Sequence, residues 1–544
     1  MRKSICAPLV ALVVTGCGGG GGGSGGGSEP PPAQEPPVVT TPTAVRVTGP
    51  TPFSSTCLAV AVGATAYANA EVEPHLAINP MNPNHLVAAW QQDRMSDGGA
   101  RGLATAVSVD GGVTWSRPQP APFTQCGGGA FARASDPWVA VSNSAILQIG
   151  IAFSGATLTA GARSTVLVSR SGDGGTTWSP AVQLVGDDGA RFFHDKETLT
   201  VDSTDARFVY AVWDRLDASD TGVTLLARSM DGGLSWLPAV PIYDPGVARQ
   251  TIGNVAVTTP DGVVHIFFTE LGPSAANPAV TEGRLAVIRS TDKGVTWSAP
   301  TRIAQLLAVG TRIPSQTSLT VRAGEILGTF AANPGDGTLY AAWQDSRFTG
   351  GTHDAIVLAR STDGGNTWSA SVRVNADAAV PAFTPTLAVL PSGLVGVMYY
   401  DFRQAGTPSY RPTDLWLAVS RDGAAWRETR LAGNFDLLDA PNANGLFVGD
   451  YQGLSGDGST FVALYARTNS GDTSNRTDVF ADRVNGAAIA ASVASTDVAA
   501  RKTAVPAWTS TANDRVAQHL SRVRELRREQ WRTWREAGPA DRKR

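Results

Sequence analysis

The chain has 544 residues, 42% apolar and 17% charged, with a net charge of −3. That balance suits a folded protein with a full core and excludes a disordered or multi-span membrane chain. Charge is uneven: residues 501–544 carry 12 Lys and Arg against 5 Asp and Glu, leaving 32 against 42 upstream, so the body is about −10 and the tail +7. An acidic body argues against a nucleic-acid partner. Abundant glycine (59) and proline (34) with little methionine (5) point to an all-β fold of short strands joined by turns.

Arg2 and Lys3 followed by the apolar run Ile5 to Val14 read as a secretion signal over 1–16, too short to span a bilayer. Gly18 to Gly27, then a Pro-rich stretch, cannot pack, so 17–43 is expected to be a flexible tether reaching roughly 30 Å. Once Cys6 is removed with the signal and Cys17 set aside, Cys57 and Cys126 remain as an even pair in an oxidising compartment. They form either a disulfide or two buried thiols.

The signal ends Val14-Thr15-Gly16-Cys17, which resembles the lipobox of bacterial lipoproteins. That resemblance implies cleavage before Cys17, lipidation of its thiol, and a membrane as partner. Gly18 at the next position points to the outer membrane or cell surface. The alternative is a soluble secreted protein in which Cys17 is incidental.

Downstream, one motif returns six times: SVDGGVTW (from Ser108), SGDGGTTW (Ser171), SMDGGLSW (Ser229), STDKGVTW (Ser290), STDGGNTW (Ser361) and a degenerate SRDGAAW (Ser420). The steps between its aspartates are 63, 58, 61, 71 and 59 residues, a period that marks a repeat architecture. An Asp that accepts turn N–H groups, a Gly at positive φ and a Trp folded onto the strands describe a tight hairpin. Each repeat supplies four strands; in the fifth they fall at Ile326 to Ala331, Thr338 to Trp343, Ala355 to Ser361 and Thr367 to Val374. After the sixth turn, Leu446 to Leu454, Thr460 to Arg467 and Thr477 to Val484 give three more. An N-terminal strand, Ala44 to Thr48 or Cys57 to Val62, would complete this last set.

The motif resembles the Asp-box, or bacterial neuraminidase repeat, found on β-propellers. The resemblance implies a propeller over 44–485, with seven blades favoured over six, and it marks a fold better than a function. In such a meander the Asp-box turns share one face. The opposite face, where second strands end and first strands begin, is expected to bind ligands.

Second strands end in a recurring signature: Trp90 with Asp93 and Arg94, Trp213 with Asp214 and Arg215, Trp343 with Asp345 and Arg347, and Tyr399 and Tyr400 with Asp401 and Arg403. These arginines either turn inward to clamp an acidic ligand group or stitch each loop to its neighbour. First-strand starts carry Glu73, Asp136, Asp195, Glu325 and Asp450, either a ring of acids at the channel mouth or repeated turn caps. His194-Asp195-Lys196-Glu197 and Gly449-Asp450-Tyr451-Gln452-Gly453 are the richest stretches.

Over roughly 70–485 the pattern is most similar to bacterial sialidase-like proteins. That likeness implies a Tyr nucleophile assisted by Glu, an Asp acid/base, three arginines on the sugar carboxylate, and a glycan substrate. On this chain it implies Asp195 as acid/base, Tyr451 as nucleophile and Glu197 as its partner. Arg94, Arg215, Arg347 and Arg403, with Asp136 and Asp450, would bind substrate. Arg312-Ile313-Pro314 resembles the family's Arg-Ile-Pro element but is displaced, lying between the fourth and fifth turns. No resident metal or cofactor is implied, and a monomer is expected. The alternatives are a non-catalytic propeller that binds glycan or protein, and a glycosidase for a neutral polysaccharide.

The remaining chain reads as a linker over 486–512 and a basic helix over 513–537, with Val516, Leu520 and Val523 on one stripe. It would lie on anionic lipid or cell-wall polymer, or dock on the acidic body.

Overall fold

The computed structural model describes residues 44–57, 64–142, 145–155, 160–188, 191–314, 318–404, 406–407, 410–492 and 505–536. The expected signal segment, Cys17 and the tether lie outside the described residues, as do positions 493–504 of the expected linker.

Four-stranded meanders follow one another at 71–120, 133–188, 192–243, 250–306, 329–373 and 382–436, with three further strands at 453–485. Val45–Arg46 pairs antiparallel with Phe480 and Ala481 and completes the last set, so chain start and chain end share one sheet. The sequence explains the packing between meanders. Second strands such as Val209–Asp217 are apolar on both faces, and strand residues alternate sides. Ala211 and Trp213 therefore pack back onto Ile149 and Ile151, while Tyr210 and Val212 pack forward onto Ile266 and Phe268. The same alternation continues around the molecule, and Val462 and Leu464 of the last set pack on Ala88 and Trp90 of the first. Radial stacking of antiparallel meanders is a β-propeller arrangement.

The repeated turns are built as their sequence requires. In the first, Asp110 Oδ1 accepts from the N–H groups of Val113 (3.1 Å) and Thr114 (2.9 Å), and Oδ2 accepts from Thr114 Oγ1 (2.5 Å). Gly111 and Gly112 take φ of 76° and 93°. Lys293 stands at such a position in the fourth turn, φ 58°, and its ammonium bonds Asp202 at 2.9 Å.

Outside the meanders, Thr311–Arg312, Thr320–Arg322 and Leu446–Phe447 form a small sheet. A short helix α1 (Gly486–Ala491) occupies the start of the expected linker, and α2 (Ser510–Glu536) begins three residues before the expected basic helix and covers 513–536 of it, residue 537 lying outside the described residues. Cys57 and Cys126 form a disulfide with Cα atoms 5.5 Å apart.

Candidate functional site

The site begins with a repeated irregularity of the first strands. Register shifts fall between Val72 and His75, Ser135 and Trp138, Asp195 and Thr198, Ile252 and Val255, and Phe383 and Thr386. At each bulge one residue has positive φ: Glu73 (53°), Asp136 (55°), Lys196 (52°), Gly253 (65°) and Thr384 (48°). Such bulges re-aim side chains, and β-bulges recur next to active sites. Strand register puts them at the end opposite the repeated turns, since Leu86 pairs with Ser108 while Gln92 pairs with Gly102.

Three acids converge there on one ammonium, two from first strands and Asp450 from the segment that leads into Gly453–Asp457. Lys196 Nζ lies 2.9 Å from Asp450 Oδ2, 3.1 Å from Asp136 Oδ1 and 3.4 Å from Glu73 Oε1. Arg322 binds Asp450 through both Nε (3.1 Å) and Nη2 (2.7 Å). Burial opposes ionisation of all these acids, and cation contact decides which of them stay charged. Burial raises Glu73 to about 8 despite Lys196. For Asp136 and Asp450, burial is outweighed, by Lys196 in the first case and by Arg322 with Lys196 in the second, and both pKa values are lowered. Lys196 in turn is held protonated: its burial is outweighed by Asp136, Asp450 and Glu73.

Over this cluster opens a cavity of about 510 Å³ lined by Arg94, Asp136, Asp195, Lys196, Arg312, Arg322, Glu325 and Asp450, with apolar contacts from Ile151, Phe153 and Phe193. The volume fits a small ligand such as one or two sugar rings. Arg94 and Arg322 both stack on Phe447, with Cζ 4.8 and 4.6 Å from the ring centre. Arg94 Nη1 donates to Gln91 Oε1 (2.7 Å) and the Gly99 carbonyl (3.1 Å). Its burial and the nearby Arg322 charge lower its pKa to about 10. Asp195 is one-fifth exposed, and burial raises its pKa against the pull of Arg527.

Helix α2 forms one wall through His519, Arg522, Val523, Leu526 and Arg527. Of the two placements open to it in the sequence, the structure has it docked on the body. Val516 and Leu520 are buried in a cluster with Ile326 and Trp343. His519 lies 3.1 Å from Glu325, whose charge outweighs the effect of burial and raises the imidazole pKa.

Asp136, Asp195, Asp450 and Arg94 therefore meet in one cavity. The expected pool of four arginines does not. Arg215 turns to Asp187 (3.5 Å) of the preceding meander, while Arg347 turns to Asp345 (2.7 Å) and Arg403 to Asp401 (2.6 Å) and Glu428 within their own meanders. Tyr451 and Glu197 do not line the cavity. Tyr451 donates to the Pro137 carbonyl (3.1 Å) with its ring 5.5 Å from Lys196 Nζ, and burial pushes its pKa well up. Glu197 is buried with neither carboxylate oxygen hydrogen-bonded, and burial raises its pKa as well. Arg322, Phe447 and Arg527 were not singled out by sequence reasoning, and Lys196 was named there only within the His194–Glu197 stretch, with no role of its own. Aligning the repeats on their bulges would have found Lys196, since it stands where its neighbours carry Glu73 and Asp136. Arg312, read as a displaced match, lines the cavity.

A search against known family models finds no match. Among solved structures, similarity extends to an α-L-arabinanase of Penicillium chrysogenum complexed with arabinobiose (14% identity, 82% of this chain and 98% of that one, TM-score 0.44). It extends also to a Hadza microbial sialidase (17%, 73% and 76%, 0.42) and to the intramolecular trans-sialidase from Ruminococcus gnavus (13%, 79% and 97%, 0.38). All three scores fall below 0.5, so the functional conclusion rests on the cavity's own chemistry.

Proposed function

We propose that the protein is a seven-bladed propeller glycoside hydrolase, anchored outside the cytoplasm by a lipid on Cys17, that removes terminal sugars from glycans. One observation carries the catalytic reading: a single cavity holds one carboxyl pushed up, Asp195, and one held down, Asp136. Glycoside hydrolysis uses such a pair, a protonated acid for the leaving oxygen and an ionised partner for the anomeric carbon or its water. Asp195 takes the acid role, and Asp136, kept charged by Lys196, takes the other. Tyr451 and Glu197 support this pair from beside Lys196.

A sialoside is the first substrate to try, because Arg94, Arg312 and Arg322 all line the cavity. The lateral pairing of Arg215, Arg347 and Arg403 favours a second reading, a glycosidase for a neutral sugar. A panel of aryl glycosides, including an α-sialoside and an α-L-arabinofuranoside, separates the two. Release of at least one is expected, falling about 10²- to 10⁴-fold in Asp195→Asn and in Asp136→Asn. A folded protein that binds glycans and cleaves none of the panel would be a binding propeller instead.

The Cys57–Cys126 disulfide supports an extracytoplasmic address. Mass spectrometry of the mature N-terminus tests the anchor: a lipidated Cys17 is expected, and a chain starting elsewhere refutes it.

A further inference from the structure

One wall of the cavity comes from no strand. Helix α2 is fixed there by several independent contacts. Ala512, Val516 and Leu520 are buried. The His519 ring sits so close to Gly310 that a Cβ there would lie 2.5 Å from it. Arg515 Nη1 donates to the Gly351 carbonyl at 3.2 Å, and Arg524 binds Asp220 and the Ala248 carbonyl. A helix held at so many points is part of the cavity rather than a loose tail.

On the same helix lies Arg527, 8% exposed. Its Nη2 stands 3.2 Å from Asp195 Oδ2 and 3.3 Å from Asp214 Oδ2. Its Nε and Nη1 are buried without a hydrogen-bond partner. A guanidinium only donates, and a buried donor left unused costs free energy until an acceptor arrives. Glycans are dense in acceptor oxygens, and this donor borders the cavity that holds Asp195.

We propose that Arg527 is a ligand-binding residue supplied to the propeller by its C-terminal helix, its guanidinium donating to a hydroxyl or carboxylate oxygen of a sugar in the cavity beside Asp195. This rests on the glycan reading of the cavity. It makes α2 a component of the site, neither a membrane-surface helix nor a plug to be displaced.

The test is a ligand-observed NMR titration of the full chain with three sugars that hydrolysis cannot consume: N-acetylneuraminic acid, D-galacturonic acid and D-galactose. Wild type binds at least one. Arg527→Gln lowers its affinity by about 10-fold or more, the weight of hydrogen bonds to a charged group. Arg527→Lys, which keeps charge without the planar fork, falls between the two. Arg524→Gln weakens helix docking at Asp220, away from the cavity wall, and stays within about two-fold of wild type, as is usual for a change outside the contact. Equal affinity in wild type and Arg527→Gln overturns the inference and leaves the glycan reading intact. Tighter binding in Arg527→Gln makes the helix a plug, and an equal loss in Arg524→Gln makes docking the cause; either overturns the donor role. Failure of wild type to bind any of the three sugars overturns the glycan reading for these ligands, and this inference with it.

Discussion

Asp110, in the first repeated turn, and Asp136, at the channel mouth, show two ways of holding the same side chain. Asp110 meets only neighbours in sequence, Ser108, Val113 and Thr114, and in full solvent their hydrogen bonds lower its pKa to about 2. Asp136 meets Lys196, 60 residues away, and is buried beside Glu73 and Asp450 from other meanders. The turn is a local device repeated six times, while the mouth is assembled once, by closure. The mouth stores desolvation cost that only simultaneous placement of several strands offsets.

The largest expected effect follows from that difference. Lys196→Met leaves the charged Asp136 without its cation and Asp450 with Arg322 alone, and the loss of stability should be roughly 3–5 kcal/mol, as for other broken buried ion pairs. Urea unfolding measures it; a loss below about 1 kcal/mol would mean that water, not Lys196, carries these charges.

Next comes pH. Burial raises Glu73 to about 8, and it raises Asp354 to about 7. Folded, these groups keep protons that the unfolded chain releases near pH 4. Their stabilisation is therefore complete below that pH and is lost as pH rises through 7 and 8. The urea midpoint should fall between pH 6 and 9, and fall less in Glu73→Gln, which cannot titrate. Equal slopes in both proteins would contradict the burial of an acid at position 73.

The smallest effect belongs to the turns. Asp231→Ala removes the acceptor for Ser235 N–H (2.9 Å) and for the Ser229 hydroxyl (2.8 Å), a cap-like loss of about 1 kcal/mol. Sugar release should not change. A loss of activity there would tie the turn face to function.

The same contrast explains how much was legible in the sequence. The repeated turns are written in eight contiguous residues, so the meanders and the need for an N-terminal strand to complete the last set could be read from spacing, while the choice of 44–48 over 57–62 came only from the pairing of Val45 and Arg46. The acids were legible as a repeated set, either a ring or turn caps, because the repeat fixes where each first strand begins. Their cation was not, because Lys196 follows Asp195 by one residue and only the bulge register shows which of the two sits beside Glu73 and Asp136. The arginines misled for a physical reason: Arg347 and Arg403 have a carboxylate within reach on their own sheets and Arg215 has one on the neighbouring sheet, so an ion pair forms without any ligand. Arg527 had no sequence signal, since nothing in a basic helix says where it docks.

The most direct measurement is a crystal structure of the full chain with the sugar that the hydrolysis panel identifies. The account predicts the sugar ring in the cavity, against Asp136 and Asp195 and within hydrogen-bond reach of Arg527. A sugar bound at the other end of the strands, in the groove between His265, Arg289, Trp297 and Asp363, would contradict it.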